Sequence, residues 1–255
     1  MKRLMVMGIT VILTVMLVGS PAAVEFKGED SLTLKGKLEK PKGDGPFPAV
    51  VLLHGCDGIN DEHDSMWASR LKKWGYITLQ VDSFGPRGDS FICADDDLMK
   101  KYVSKRALDA HDAKSYLAGL QFVDPKRIAV MGWSHGGMST IASVSEMPAK
   151  ETVPFQAAIA LYPYCYKTLD DLNAPLLILI GALDDWCPAE LCSSNMPKEG
   201  KSKHEVILKV YPGAYHNFDW SGMDVTLMGH TLRYNYKAES EAIVQVREFL
   251  EKHLK

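Results

Sequence analysis

The chain has 255 residues, 46% hydrophobic and 24% charged, and 29 Lys plus Arg against 32 Asp plus Glu leave a net charge of −3. That length suits one large α/β domain with a sizeable core. The near-balance of charge, with no long basic run and no basic-aromatic stripe, argues against nucleic acid or an anionic membrane surface and leaves a small molecule as the expected partner.

In chain order, the first segment has the form of a secretory signal peptide. Met1, Lys2 and Arg3 give a positive start, LMVMGITVILTVMLV an apolar run, and GSPAA small residues for cleavage after Ala22. The alternative is an uncleaved anchor, but the run is short against the ~20 residues a bilayer span needs. The expectation is therefore a signal over 1–22, a mature chain over 23–255 without a stable membrane anchor, and a periplasmic or secreted monomer or small homo-oligomer.

Beyond it, LTLKGKLEK alternates like an exposed antiparallel strand, and KPKGDGPFP is a Pro/Gly turn into the first buried strand. AVVLLH, YITLQVD, RIAVMG, QAAIALY, LLILIGA and EVILKVY are short continuous apolar runs, the pattern of strands buried on both faces of a parallel sheet. Helical spacing fills SMWASRLKKWG, LMKKYVSKRALDAHDAKSYLAGL and HGGMSTIASVSE. In YKAESEAIVQVREFLEKHL it puts Ala238, Ala242, Ile243, Val246, Phe249 and Leu250 on one face. Strand and helix in alternation predict a mostly parallel, doubly wound sheet flanked by helices, in one domain without repeats or linkers.

Between RIAVMG and a helical run stands GWSHGG. A strand that turns abruptly into a helix strains the residue between them, so Gly132 and Gly136 must be small, and Ser134 is exposed at the carboxyl edge of the sheet as a nucleophile. A serine hydroxyl needs a base, and the base needs an orienting acid. LLILIGALDDWCP presents Asp184 and Asp185 past one strand end, and VYPGAYHNFDW presents His216 past the last. Asp184 is the expected partner of His216, with Asp185 capping the helix near Pro188 or facing water. The backbone N–H groups of His135 and of Cys56, in LLHGCDGIN, are the expected oxyanion donors. His63, His111, His204, His230 and His253 take ordinary surface or packing roles.

Five cysteines in an exported chain allow two disulfides with one thiol left over. Cys165 and Cys192 each follow a predicted strand end on the same rim and are the expected pair. No Cys-x-x-Cys or Cys/His cluster suggests a metal.

LLHGCDGIN, GYITLQVDSFGPRG, RALDAHDAKSYLAGL, DPKRIAVMGWSHGG, LIGALDDWCP and YPGAYHNF, taken together and in that order, resemble the dienelactone hydrolase family of α/β-hydrolases over nearly the whole mature chain. The resemblance implies an α/β-hydrolase fold and a Cys or Ser nucleophile with Asp and His, matching Ser134, Asp184 and His216. It also implies an ester or lactone substrate and no cofactor. Founding members carry cysteine in the elbow and an acid in the first loop, where this chain has Ser134 and Gly55. They also bind a substrate carboxylate through arginines. Arg87 is the match here, either in that role or as a structural arginine bridging loop carbonyls or Asp82. Trp186 is a candidate for the substrate pocket. The expected activity is hydrolysis of a carboxylic ester or lactone by a serine triad; the alternatives are a peptidase or acyltransferase and a non-catalytic binding protein on the same fold.

Overall fold

In a computed structural model, residues 21–28, 31–145, 148 and 153–255 are described. The signal segment, apart from its last two residues, lies outside them. Ala22, the last residue before the expected cleavage, opens the first strand, β1 (Ala22–Lys27).

β1 pairs antiparallel with β2 (Thr33–Glu39), the LTLKGKLEK segment, and β2 antiparallel with β4 (Ile77–Asp82). From β4 inward the sheet is parallel: β3 (Phe47–Leu53), β5 (Val123–Trp133), β6 (Ala158–Leu161), β7 (Leu176–Gly181) and β8 (Val206–Tyr211) complete the order β1-β2-β4-β3-β5-β6-β7-β8. The mostly parallel, doubly wound sheet expected from the apolar runs is what forms. β1 was not anticipated, because AAVEFK carries two charges and sits on the sheet edge.

α2 (Asp96–Ala118) and α3 (His135–Ser145) pack on each other over one face; α1 (Asp61–Lys73) and α5 (Tyr236–Leu254) cover the other, joined through Arg70 and Glu239 at 3.0 Å. Burial explains the strand composition: every residue of β6 and β7 is buried, because helices lie on both sides. α5 buries the stripe read from its spacing, with Ile243 at its margin. α4 (Ala189–Ser194) is a short turn of helix after β7.

Register aligns the carboxyl ends. Leu53 pairs with Gly132, Trp133 with Leu161, Leu161 with Leu179, and Gly181 with Tyr211. The loops after β3, β5, β6, β7 and β8 therefore emerge on one rim, where open α/β sheets hold their sites. Over that rim folds a hairpin absent from the sequence expectation, β9 (Asp224–Leu227) and β10 (His230–Arg233), turning at Met228 and Gly229.

Candidate active site

The elbow is built by exclusion. A Cβ on Gly132 would lie 2.3 Å from the Gly136 carbonyl oxygen, and one on Gly136 would lie 2.0 Å from that of Leu53. With glycine at both, β5 turns into α3 within one residue, and Ser134 takes φ 51°, in the left-handed region. Tyr162, just past β6, has φ 38° and Asn217, beside the histidine, φ 54°. Each such residue costs about 1–3 kcal/mol, and strain of this kind gathers at functional sites.

His216 is buried, with Nε2 3.0 Å from Ser134 Oγ and Nδ1 2.8 Å from Asp184 Oδ2. A carboxylate can only accept, so Nδ1 carries the proton and Nε2 is left to accept from the serine hydroxyl. Asp184 is itself buried, and its second oxygen accepts the backbone N–H groups of Trp186, at 3.0 Å, and Cys187, at 2.8 Å. The carboxylate is thus fixed at both oxygens.

Of the two roles expected for Asp185, the cap on α4 does not form, and the residue faces water; its exposed carboxylate also accepts the Thr231 N–H at 3.0 Å and ties the β9–β10 hairpin to the rim. A bridge between His216 and Leu232 fixes the other side of the hairpin.

Of the expected oxyanion donors, Cys56 lines the same cavity as Ser134, and His135 follows Ser134 directly. His135 opens α3, so its N–H is among those a helix leaves without an internal partner. Its ring is consumed elsewhere: Nδ1 accepts from Arg106 at 2.6 Å and Nε2 donates to the Met99 carbonyl at 2.8 Å. Burial and then the Arg106 charge push that imidazole down to about 3, so it stays neutral. Cys56 is buried in the tight Gly55–Gly58 turn, and its carbonyl accepts the Ile92 N–H at 2.9 Å.

Cys56 is also bonded to Cys93, a disulfide not anticipated from sequence, and Cys165 is bonded to Cys192 as expected. Cys187 is the free, buried thiol. Among the described residues, Asp184, Cys187 and His216 place ligand-type atoms within 4.8 Å of one another. A metal there would require Asp184 to give up its bond to His216 and the thiol to lose its proton, which burial and the Asp184 charge both oppose. Asp184 and His216 are thus bonded to each other in an acid–base relay, with the Cys187 thiol protonated beside them, an arrangement that does not suit a metal centre.

Of the two roles open to Arg87, its contacts are those of the structural arginine: the guanidinium forks onto Asp109 of α2 at 2.7 and 2.8 Å and donates to the Ser83 carbonyl at 2.7 Å. Asp82 takes the Phe84 and Gly85 N–H groups instead. Trp186 is at the site, its ring 5.3 Å from His216 and stacked on His230 at 4.9 Å.

Three residues escaped the sequence reading. Arg106, fully buried on α2, donates both to His135 and to the carbonyl of His54, so it bridges the two segments that supply the expected oxyanion donors. His63 and Asp219 form a buried pair at 3.2 Å beside the site, and Asp219 also accepts from Trp67 at 2.7 Å and Tyr162 at 2.9 Å. Burial opposes the His63 charge, but Asp219, backed by Asp64, overrides it and raises the imidazole to about 10. No local motif marks these residues, since their partners lie 29 to 156 positions away.

Two cavities meet at Ser134. One, of about 330 Å³, lies under the hairpin and is lined by His216, Trp133, Trp220 and Leu232; the other, of about 570 Å³, runs along α2 past Met99, Val103 and Tyr164.

Residues 34–254 match the model of the dienelactone hydrolase family. A provisionally named carboxymethylenebutenolidase of Yersinia pestis is 26% identical over 192 residues, 69% of this chain and 70% of that protein. Esterase FrsA of Shigella boydii is 26% identical over 157 residues; the match covers 61% of this chain but only 34% of that longer protein. Among solved structures, a dienelactone hydrolase-like promiscuous phosphotriesterase from metagenomic libraries superposes with a TM-score of 0.76 at 19% identity, over 93% of this chain and all of that one. A Thermogutta terrifontis esterase gives 0.66 at 17%, over 92% and 95%. With the family model spanning nearly all of the sheet and its carboxyl-edge loops, the chain belongs to the dienelactone hydrolase family of the α/β-hydrolase superfamily and is a hydrolase acting on ester bonds.

Proposed function

We propose that the chain is an exported serine hydrolase that cleaves a carboxylic ester or lactone through an acyl-enzyme. The observation that carries this reading is the continuous relay from Ser134 Oγ through His216 to Asp184, at 3.0 and 2.8 Å, on a serine held at positive φ. As Ser134 Oγ attacks the carbonyl carbon, its proton passes to His216 Nε2, and the carbonyl π electrons move onto oxygen, facing the His135 and Cys56 N–H groups. The carbon–oxygen bond to the alcohol then breaks, and Nε2 returns the proton to the departing oxygen. Water, deprotonated by the same nitrogen, attacks the acyl carbon and frees the acid and Ser134. Asp184 holds the imidazole in the tautomer that both half-reactions need and stabilises its charged form.

Export is supported by the signal-like start and by the two disulfides, which persist in oxidising compartments. No helix of the described residues is long and apolar enough to cross a membrane. The test is a fluorophosphonate probe: the wild type is labelled and Ser134→Ala is not, whereas equal labelling of the two removes Ser134 from the mechanism.

A further inference from the structure

The two cavities differ in one respect that bears on chemistry. They share Ser134, Cys93 and Trp186, but His216 lines only the one under the hairpin. In the mechanism above, Nε2 must reach two successive partners: the leaving oxygen, which takes its proton, and then the water, which gives one up. Both need to lie within hydrogen-bond distance of Nε2, and both therefore approach from the hairpin cavity. The acyl group must stay bound while the alcohol departs and water takes its place, so it has to occupy space that the water does not need.

We propose that the two cavities divide the substrate at its scissile bond, with the alcohol under the β9–β10 hairpin and the acyl chain along α2, which makes the substrate an open-chain ester with an apolar group on each side of the carbonyl. This rests on the Ser134 mechanism. Two separate cavities that meet at the nucleophile suit a two-armed ester better than a compact lactone, whose acyl and alcohol parts are one ring.

The walls specify the chemistry of each arm. Under the hairpin the surface is Trp133, Trp220, Met223 and Leu232; of the ionic groups lining this cavity, His63 is engaged with Asp219 and Asp64 with the Asn60 N–H at 3.0 Å, while Asp57 stands exposed in the turn after β3. A compact hydrocarbon or aryl alcohol fits there. The α2 groove is larger; Met99, Val103 and Met138 are its apolar lining, beside the exposed Asp96 and Lys100 and the 40% exposed Tyr164. An acyl chain longer than acetyl fits that groove.

The experiment uses two ester series. One keeps an octanoyl group and changes the alcohol from methyl to benzyl; the other keeps the benzyl alcohol and changes the acyl group from acetyl to octanoyl. Val225→Trp, on the half-exposed lip of the hairpin cavity, lowers the benzyl-to-methyl ratio of kcat/KM at least tenfold and leaves the octanoyl-to-acetyl ratio within twofold. Met99→Trp, in the groove, does the reverse. Leu227→Trp and Met138→Trp repeat the two substitutions at other wall positions, and fluorophosphonate labelling of Ser134 shows that each variant is folded. If the hairpin variants change acyl preference, or either set changes both ratios alike, the assignment is overturned while the triad stands. A wild type that turns over neither series and takes no label overturns both.

Discussion

Ser134 trades stability for position. Its φ of 51° is a conformation that glycine adopts without cost, so Ser134→Gly abolishes turnover while raising unfolding stability by about 1 kcal/mol. Chemical denaturation read beside an ester assay checks both halves. Asp184→Asn, which would let the imidazole carry its proton on the wrong nitrogen, lowers kcat by about 10⁴-fold with the fold intact. The residues of this relay were legible in the sequence because each stands in a local pattern: a serine between glycines, an acid and a histidine just past strand ends. Arg106, His63 and Asp219 were not, because what makes them important is a partner distant along the chain. Arg106→Met leaves the buried acceptors on His54 and His135 unpaired and loosens the two segments proposed to supply the oxyanion donors, so kcat falls by about 10²-fold with little change in KM. A variant with the stability of the wild type and unchanged kcat would show that the arginine has no part in positioning.

Among the elements, the buried parallel strands could be read directly, since helices on both faces demand uninterrupted apolar runs. The β9–β10 hairpin could not. DVTL and HTLR are four residues each and mostly polar, and the hairpin is held by tertiary contacts, among them the Asp185 bond to Thr231. Asp185→Ala therefore loosens the hairpin while leaving the relay intact, raising KM for esters with a bulky alcohol more than it lowers kcat. Reactivity of the two adjacent acids thus separates by element: Asp184 faces inward to His216, Asp185 outward to the hairpin. The tight turn after β3 was legible from its glycines, but its covalent tie to Cys93 was not, because the partner lies 37 residues away.

For the whole molecule, the His63–Asp219 pair joins α1 to the loop after β8 and makes global stability depend on pH in a definite direction. An unfolded histidine titrates near 6.5; His63 in the folded protein is raised to about 10. Its contribution is complete below about 6.5 and drains away as pH rises toward 10. Asp219, buried but held below the ordinary carboxylate range by His63, Trp67 and Tyr162, contributes above its unfolded value of 3.8 and loses that contribution as pH falls through the acid range. Urea unfolding across pH should show stability falling on both sides of this window. Asp219→Asn should cost about 3 kcal/mol at neutral pH and flatten the alkaline limb. Hydrolysis through the relay requires a covalent intermediate on Ser134. Rapid mixing with a p-nitrophenyl ester, quenched in acid and analysed by intact and peptide mass, should show a burst of about one p-nitrophenol per protein and the acyl group on the peptide that contains Ser134. Turnover without an acylated Ser134 peptide, or undiminished turnover in Ser134→Ala, would contradict it.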